Sequence, residues 1–371
     1  MCATKIEVNI PGLDPYDVRI GAGVLDDLGR SMRRVPSLEK AKRALVITDS
    51  NVGPLYLDQA KEALASEGFR VNDITVPAGE ESKNIQVIGE IWEAMAGLSL
   101  GRDCVVVALG GGVVGDMAGF VAATYMRGVE VVQVPTTLLA MVDSSVGGKT
   151  GFNLSAGKNL VGAFKQPAFV CADTSALRTL DAREWACGLG EVAKSAVIGG
   201  DDFFFWLSDN ARALAMRNAE ATAEAIARCV VFKAGVVAQD QTESRGVREC
   251  LNYGHTLAHA IEVLAGYGTY SHGAAVAEGM RFAMLLGGKY ASTSPELIAA
   301  QSDLLDELGL RPLDWAGAPI EILKTMKRDK KTRGGEVRFV LASDLGAWDI
   351  HALEDAEIIG ALQEWASSKR L

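Results

Sequence analysis

Three of the four histidines in the chain lie within 18 residues of one another, and this stretch is the first candidate for a metal site. Histidine is the commonest metal ligand and titrates near neutral pH. His255 and His259 are four residues apart, which places both on one face of a helix, and His272 follows. The spacing alone predicts His255 and His259 as ligands. The alternative is a pair of helix-face histidines that only form hydrogen bonds, and His351 is interpreted as structural.

A divalent ion at these histidines needs a carboxylate, or a fourth ligand from water or substrate, because the sequence has no thiol pair at ligand spacing. Glu191 in the segment Gly188–Lys194 is the candidate. Lys194 follows it by three residues on the same helix face. Taken alone, such a pair is more often a solvated salt bridge than part of a site.

A glycine loop follows the apolar run Asp103–Leu109. Gly110–Gly115 fits the pattern G-x-G-x-x-G, and a helical pattern begins at Met117. At this strand-to-helix position the pattern predicts a dinucleotide site, with the helix N-terminus facing the phosphates. The alternative is a tight turn that requires positive φ. The polar clusters Asp49–Asn51 and Gly79–Lys83 are candidates to hold the ribose or adenine.

A second group of residues is typical of anion binding. Asp143–Gly151 ends in GGKTG, but Asp143 stands where a P-loop requires its first glycine, which argues against a P-loop kinase or ATPase. Basic and amide side chains accompany this segment, namely Lys149, Lys158, Asn159, Lys233, Arg248 and Asn252. Any one lysine is interpretable as a surface charge. Jointly, beside glycines in an acidic protein, they predict capture of a small dianion.

The elements that must position these residues change in character along the chain. Apolar runs rich in Val and Ile predict strands of a parallel sheet covered on both faces, at 43–48, 103–109, 129–134 and 168–172. Helical patterns lie between them at 57–67 and 85–98. Beyond residue 182 long helical patterns dominate, at 211–239, 254–264, 273–290 and 295–308, with a hairpin at 336–341 and 347–349. The shift near residue 180 predicts a domain boundary.

Composition limits the class of protein. The 371 residues contain 37 Lys and Arg against 47 Asp and Glu, a net charge of −10, which argues against nucleic-acid binding. With 49% hydrophobic and 23% charged residues, the chain is typical of a globular enzyme. The apolar stretch Cys104–Ala123 contains Asp116 and several glycines, so it is a poor membrane span. No export signal is visible, and six scattered cysteines indicate a reducing, cytoplasmic location.

Several blocks resemble, in order, those of the 3-dehydroquinate synthase family of sugar-phosphate cyclases. They are GGGVVGDMAGFVAATYMRG (110–128), VPTTLLAMVDSSVGGKTGFN (134–153), GKNLVGAFKQP (157–167), GLGEVAKS (188–195), LNYGHTLAHAIE (251–262), SHGAAVAEGM (271–280) and RDKK (328–331). The resemblance implies an α/β, Rossmann-like NAD-binding domain over 1–180. A mainly α-helical domain over 181–371 would bind metal and substrate. A homodimer is also implied.

The resemblance also assigns the site residues. The metal, Zn²⁺ or Co²⁺, would be held by Glu191, His255 and His272, with His259 facing the substrate phosphate instead. The implied NAD contacts are Asp49, Asn51, Glu80, Lys83, Gly112, Val113, Val114, Asp116, Thr136, Thr137, Lys149, Lys158 and Thr179. The implied catalytic and substrate-binding residues are Asp143, Lys149, Asn159, Lys194, Lys233, Arg248, Asn252, His259 and Lys330 or Lys331. Arg127 would reach the neighbouring subunit.

The implied reaction converts 3-deoxy-D-arabino-heptulosonate 7-phosphate to 3-dehydroquinate and phosphate in the shikimate pathway. It proceeds by NAD-assisted oxidation, β-elimination, reduction and intramolecular aldol cyclisation. Two alternatives are a cyclase that forms a valiolone or inosose ring and a metal-dependent polyol dehydrogenase. Two departures from the family pattern stand out: the 240–246 segment is one residue longer than usual, and Ala274 replaces a common glutamate. This alanine removes a candidate hydrogen-bond partner for a ligand histidine.

Overall fold

The chain folds into two compact units. The computed structural model describes residues 3–266, 268–328 and 336–369. The first unit contains the residues up to Leu180 together with Lys233–Thr242, and the second contains Asp181–Phe232 and the residues from Glu243 onward. A division at residue 180 alone assigns Lys233–Thr242 to the second domain, and the structure corrects this. The physical reason is that Lys233 is bound to Asp143 of the first unit.

A mainly parallel sheet forms the centre of the first unit. Its strand order is β1-β2-β9-β6-β5-β3-β4, and β1 alone pairs antiparallel, with β2. The strands of this unit are Thr4–Val8 (β1), Tyr16–Gly21 (β2), Arg43–Asp49 (β3), Arg70–Val76 (β4), Cys104–Gly110 (β5), Glu130–Pro135 (β6), Lys149–Leu154 (β7), Gly157–Phe164 (β8) and Phe169–Asp173 (β9). Its helices are Leu28–Arg33 (α1), Gly53–Ala65 (α2), Ile85–Gly97 (α3) and Gly112–Thr124 (α4).

Successive side chains of the buried strands alternate between two hydrophobic clusters, one on each face of the sheet. Along β5, Val105 and Val107 enter one hydrophobic cluster, whereas Val106 and Ala108 enter the other. Every residue of β5 is buried, as expected for a central parallel strand whose two faces both meet helices. The four predicted strands of the first half are therefore confirmed as members of one sheet.

Five strands of the first unit have no counterpart among the predicted ones. They are β1, β2, β4, β7 and β8. Strand β4 lies at the sheet edge, and it carries Asn72 and Asp73, so its sequence lacks a continuous apolar run. Strands β7 and β8 form a separate two-stranded ribbon outside the main sheet. Edge and ribbon strands contact solvent, which weakens the hydrophobic signal that identifies buried strands.

The second unit is mostly helical. Its helices are Ala182–Gly199 (α5), Asp201–Ala215 (α6), Ala219–Gln239 (α7, whose last residues belong to the first unit), His255–Leu264 (α8), His272–Tyr290 (α9), Pro295–Glu307 (α10), Pro319–Arg328 (α11) and Asp355–Ser368 (α12). The predicted hairpin is confirmed with longer strands, Val337–Asp344 (β10) and Ala347–Leu353 (β11). The fold class predicted from the sequence, an α/β unit and a mainly α-helical unit, is confirmed.

One predicted helix is wrong in extent. The pattern over 211–239 belongs to two helices, α6 and α7, because the chain turns between them. Arg217 adopts φ 60°, and the side chain of Asn218 accepts hydrogen bonds from the backbone N–H groups of Glu220 and Ala221. This is the arrangement of a helix N-cap, so a new helix begins at α7. Within the described residues, no helix is both long and apolar enough to cross a bilayer.

Candidate active site and metal centre

The carboxyl ends of the parallel strands collect the residues predicted to contact NAD. Asp49 ends β3, the glycine loop follows β5, and Thr136 and Thr137 follow β6. Strand β4 lies on one side of β3 and β5 on the other, so the direction of the crossovers changes between β3 and β5. In open α/β sheets, ligands bind at such a switch point, outside the carboxyl ends of the strands.

The glycine loop is shaped by close packing and not by a turn with positive φ. Gly111 is the N-cap of α4 with φ −76°, and Gly110, Gly112 and Gly115 are also outside the left-handed region. A Cβ atom on Gly110 would lie 2.6 Å from Val114, and one on Gly115 would lie 2.9 Å from the amide oxygen of Gln133. The alternative of a tight turn is therefore wrong. The first turn of α4 carries no acidic side chain, which leaves its N–H groups suited to a phosphate.

An ion pair joins α4 to the segment that follows β4. Lys83 Nζ lies 2.5 Å from Asp116 Oδ2, and the Lys83 side chain is only 4% exposed. Burial raises the pKa of Asp116, and the charge of Lys83 opposes this shift. The pair fixes two predicted NAD residues against each other.

Asn153 connects two further predicted residues and has no counterpart in the predicted set. Its amide nitrogen donates to Glu80 Oε1 at 2.7 Å, and its amide oxygen accepts from the backbone N–H of Asn159 at 2.9 Å. Asn159 itself has φ 53° on β8. Asn153 thereby holds Glu80 beside the β7–β8 ribbon, which also carries Lys149 and Lys158.

Lys233 is tethered to Asp143 in the first unit. Its Nζ atom donates to the Asp143 carbonyl at 2.6 Å and lies 2.8 Å from the Asp143 carboxylate. Asp143 belongs to the π-helical turn Ala140–Ser144, whose entry is fixed by Thr137 Oγ1 accepting from the Ala140 N–H. The two residues predicted to contact substrate thus form one partly buried pair.

Three further predicted residues of the first unit are described by their local contacts and backbone conformation. Asp49 caps its loop by accepting hydrogen bonds from the N–H groups of Asn51 and Val52. Thr179 Oγ1 lies 2.6 Å from the hydroxyl of Tyr56. Arg127 has φ 66° in a 3₁₀ turn after α4. Lys330 and Lys331 lie outside the described residues.

In the second unit, three helices bring together one carboxylate and two imidazoles. Glu191 lies in α5, His255 begins α8 and His272 begins α9. The Nε2 atoms of both histidines lie 3.4 Å from Glu191 Oε1, and the three candidate ligand atoms are all within 4.8 Å of one another. This is the set implied by the family resemblance.

Glycines allow α5, α8 and α9 to approach closely enough to bring the three candidate ligands together. A Cβ atom on Gly190 would lie 2.5 Å from the Gly273 carbonyl oxygen, and one on Gly273 would lie 2.2 Å from that of Cys187. Gly190 precedes Glu191 and Gly273 follows His272, so the contact between α5 and α9 sets the distance between the two ligands. Gly254, with φ 78°, starts α8 in the same way against Gly279 of α9.

The charged groups of this cluster shift one another's pKa values. Burial raises the pKa of Glu191, but Lys194 and His255 outweigh burial and hold the pKa well below its usual range. Burial lowers the pKa of His272, but the carboxylates of Glu191 and Glu262 outweigh it and raise the pKa to about 9. Lys194 forms an ion pair with Glu191, and the side chains are 3% and 2% exposed. The interpretation of this pair as a solvated salt bridge is therefore wrong.

A divalent cation fits the cluster. The Glu191 carboxylate is buried, with Lys194 at Oε2 and the Nε2 atoms of His255 and His272 3.4 Å from Oε1. Such a group is costly unless a cation compensates it. Two imidazole nitrogens and one carboxylate oxygen form a three-ligand set that leaves a position open, as in catalytic zinc sites. The geometry does not favour the pair predicted from spacing, since His259 is not among the converging ligands.

Arg248 and Asn252 lie on the 3₁₀ helix Val247–Asn252, directly before α8. The Arg248 side chain is almost fully buried, at 1% exposure. Two residues of the 240–246 segment are in the left-handed region, Glu243 with φ 57° and Gly246 with φ 81°.

Two family models match consecutive parts of the chain. The model described as 3-dehydroquinate synthase N-terminal matches residues 73–187, and the one described as 3-dehydroquinate synthase C-terminal matches residues 188–332. A protein named 3-dehydroquinate synthase from Desulforamulus reducens is 43% identical over 361 residues, which cover 97% of this chain and 99% of the relative. The chain belongs to the 3-dehydroquinate synthase family. It is therefore an enzyme of a lyase family.

Solved structures with the same fold carry a dinucleotide and a divalent metal. A 2-deoxy-scyllo-inosose synthase complexed with carbaglucose-6-phosphate, NAD⁺ and Co²⁺ is 26% identical with a TM-score of 0.88, covering 97% of this chain and 99% of that one. The 2-epi-5-epi-valiolone synthase of Streptomyces hygroscopicus subsp. jinggangensis, with NAD⁺ and Zn²⁺ bound, is 25% identical with a TM-score of 0.84 and the same coverage.

Proposed function

We propose that the chain is a 3-dehydroquinate synthase that converts 3-deoxy-D-arabino-heptulosonate 7-phosphate to 3-dehydroquinate and phosphate, a step of aromatic amino-acid biosynthesis. The observation that carries this proposal is the convergence of Glu191, His255 and His272 in a chain that also presents a glycine loop at the switch point of a parallel sheet. A divalent ion at the first feature and NAD at the second would supply the two cofactors of the proposed reaction. The 43% identity to a named relative supports the choice of substrate.

Glu191, His255 and His272 would hold the metal, and the loop Gly112–Asp116 with Asp49, Lys83, Thr136 and Thr179 would hold NAD. When bound, NAD supplies a hydride acceptor and donor, and the divalent ion lowers the pKa of a substrate hydroxyl. The chain's own part in the binding of NAD is to present the N–H groups at the start of α4 to the pyrophosphate.

The anionic ends of the substrate require different partners. Arg248 is proposed to bind the carboxylate, because a guanidinium offers two parallel N–H donors to it. A guanidinium that is 1% exposed is also shielded from competing water, which strengthens its attraction for an anion. Lys149, Asn159, Asn252 and His259 are proposed to bind the phosphate.

Two ion pairs are proposed to orient the substrate hydroxyls. Lys194, held by Glu191, would donate to a hydroxyl oxygen near the metal. Asp143, held by Lys233, would accept from another. We assign no protein side chain as the base for the elimination step. The phosphate of the substrate carries suitable oxygens and is proposed to remove the proton itself.

The identity of the metal, the oligomeric state and the cellular location are part of the same proposal. Zinc is proposed as the metal because two imidazoles and a carboxylate suit it, with Co²⁺ as a substitute. A cytoplasmic homodimer is proposed, with Arg127 acting at the neighbouring subunit. The buried thiols of Cys104, Cys171 and Cys250 are compatible with a reducing compartment.

Incubation of the zinc-loaded chain with the heptulosonate phosphate and NAD tests the proposal. We expect release of phosphate without net accumulation of NADH, and a carbocyclic product identified by NMR. Stoichiometric NADH would indicate a polyol dehydrogenase instead. Turnover of a carboxylate-free sugar phosphate in preference to the heptulosonate would indicate a cyclase that forms a valiolone or inosose ring.

A further inference from the structure

The two candidate metal ligands His255 and His272 are oriented by different hydrogen-bond acceptors. His255 Nδ1 lies 3.1 Å from the backbone carbonyl oxygen of Tyr253. His272 Nδ1 lies 3.3 Å from the carboxylate oxygen Oε2 of Glu262. Each contact occupies the nitrogen that faces away from Glu191, so the Nε2 atom of each ring is left toward the cluster. One acceptor is a neutral backbone group and the other is an anionic side chain.

We propose that Glu262 is a positioning residue, which accepts the Nδ1–H of His272, fixes its tautomer and makes its Nε2 atom a stronger metal donor than that of His255. This inference rests on the metal site proposed above. A carboxylate behind a ligand imidazole increases the electron density at the opposite nitrogen, and it also fixes the plane of the ring.

The place of Glu262 in the fold supports this role. It lies seven residues after His255 on α8, which is two helical turns and therefore the same face. His272 belongs to the next helix, α9, so Glu262 acts across the two helices. Its side chain is 15% exposed, and a carboxylate at such a position needs a polar partner.

Glu262 also provides the carboxylate that Ala274 cannot offer to a ligand histidine. The sequence at 274 lacks the carboxylate common at that position, which predicts a missing partner for a ligand histidine. The structure provides a carboxylate to His272 from α8 instead. The support for His272 thus comes from the same helix that carries His255, and the two ligands are coupled through it.

The test compares metal affinity in Glu262→Ala, Glu262→Gln and the wild type. Dissociation constants for Zn²⁺ are measured by competition with a chromogenic chelator, and the visible spectrum of the Co²⁺-loaded protein reports the ligand geometry. Loss of an outer hydrogen-bond partner of this kind is expected to weaken metal binding by about 10–100-fold in Glu262→Ala. Glu262→Gln retains an acceptor without the charge, so its affinity is expected to fall between the two. Glu307→Ala, which removes an exposed charge at the end of α10, serves as the control and is expected to match the wild type.

An unchanged affinity and an unchanged Co²⁺ spectrum in Glu262→Ala, with normal binding by the wild type, would overturn this inference and leave the proposed function standing. A wild-type chain that binds no metal would overturn both. If the alanine variant does not fold, Glu262→Gln decides: several-fold weaker binding with an altered spectrum supports the role, and wild-type values reject it.

Discussion

The glycine loop of the first unit and the three candidate metal ligands of the second are positioned by different means. In the first unit, parallel strands end at one edge of a sheet, so residues that follow each strand are brought to that edge by topology alone. In the second unit, Glu191, His255 and His272 come from three helices, and their distances depend on glycine contacts between α5, α8 and α9. Strand order thus brings together the groups of the first unit, whereas contacts between particular helices bring together those of the second.

The largest expected effect is the loss of a ligand in the second unit. His272→Ala removes one of the three proposed ligands, and the remaining two are insufficient for a stable catalytic site. We expect no metal to remain after dialysis against a chelator concentration that leaves the wild type loaded. Elemental analysis checks this, and full metal content in the variant would reject His272 as a ligand.

Arg248→Ala tests the substrate side of the second unit. Removing one partner of a buried carboxylate–guanidinium pair is expected to cost about 2–5 kcal/mol of substrate binding. Steady-state kinetics should show this as a raised KM. Arg311→Ala, at an exposed arginine of the same unit, is the control. A KM close to that of the wild type in Arg248→Ala contradicts the carboxylate assignment.

Lys83→Met tests the contribution of the Lys83–Asp116 ion pair in the first unit. It leaves Asp116 without its ion-pair partner in a partly buried position, which is expected to cost about 3 kcal/mol of folding stability. Denaturant unfolding measures the change, and NAD titration should show weaker binding. Lys61→Met, which breaks an exposed pair with Asp73, should change stability by less than about 1 kcal/mol. Equal effects of the two variants would contradict the importance of burial.

Gly273→Ala tests whether a close helix contact positions the metal ligands. The added Cβ would lie 2.2 Å from the Cys187 carbonyl oxygen, so α5 and α9 must separate. Overpacking of this kind is expected to cost about 1–3 kcal/mol, and metal affinity should fall with it. Gly360→Ala in α12 is the matched control, since its Cβ meets no neighbour within 4 Å. It should stabilise the helix by roughly 0.5–1 kcal/mol. Normal metal affinity in Gly273→Ala would show that the contact is not needed.

Tyr253→Phe is expected to have the smallest effect, with a characteristic pH dependence. The Tyr253 hydroxyl donates to Gln301 Oε1 at 2.6 Å, and its loss should cost about 1 kcal/mol. Burial raises the pKa of Tyr253 above its usual value of 10.0, and the hydrogen bond to Gln301 opposes this shift. A group whose pKa is raised on folding contributes stability below its unfolded pKa and loses it at higher pH. The free energy of unfolding should therefore fall above about pH 10 in the wild type and less steeply in Tyr253→Phe. Equal slopes would contradict this account.

The sequence predicts the buried strands and the glycine loop of the first unit, for physical reasons. Buried parallel strands have continuous apolar runs, and a glycine loop between strand and helix is a local pattern. The β4 edge strand and the β7–β8 ribbon escape this reasoning because they are partly solvated. The place of residues 233–242 in the first unit is not predicted either, since it depends on tertiary contacts such as that of Lys233 with Asp143.

In the second unit, helical periodicity predicts the helices but not which side chains meet. Spacing on α8 favours His255 with His259, whereas the partner groups Glu191 and His272 come from other helices. The family resemblance predicts this set from matching motifs. Glu262 and the glycine pair Gly190–Gly273 were absent from the predicted site, because their roles depend on how α5, α8 and α9 pack. A glycine directly beside each candidate ligand is the sequence signal that could have indicated the close contact.

The most direct test of the central claim is anomalous diffraction from crystals of the zinc-loaded protein, recorded at the zinc edge. We predict one strong peak at about 2.0–2.2 Å from a Glu191 carboxylate oxygen and from the Nε2 atoms of His255 and His272. A peak bound by His259 in place of His272, or no peak among these three residues in a protein that retains zinc, would contradict the proposed metal centre.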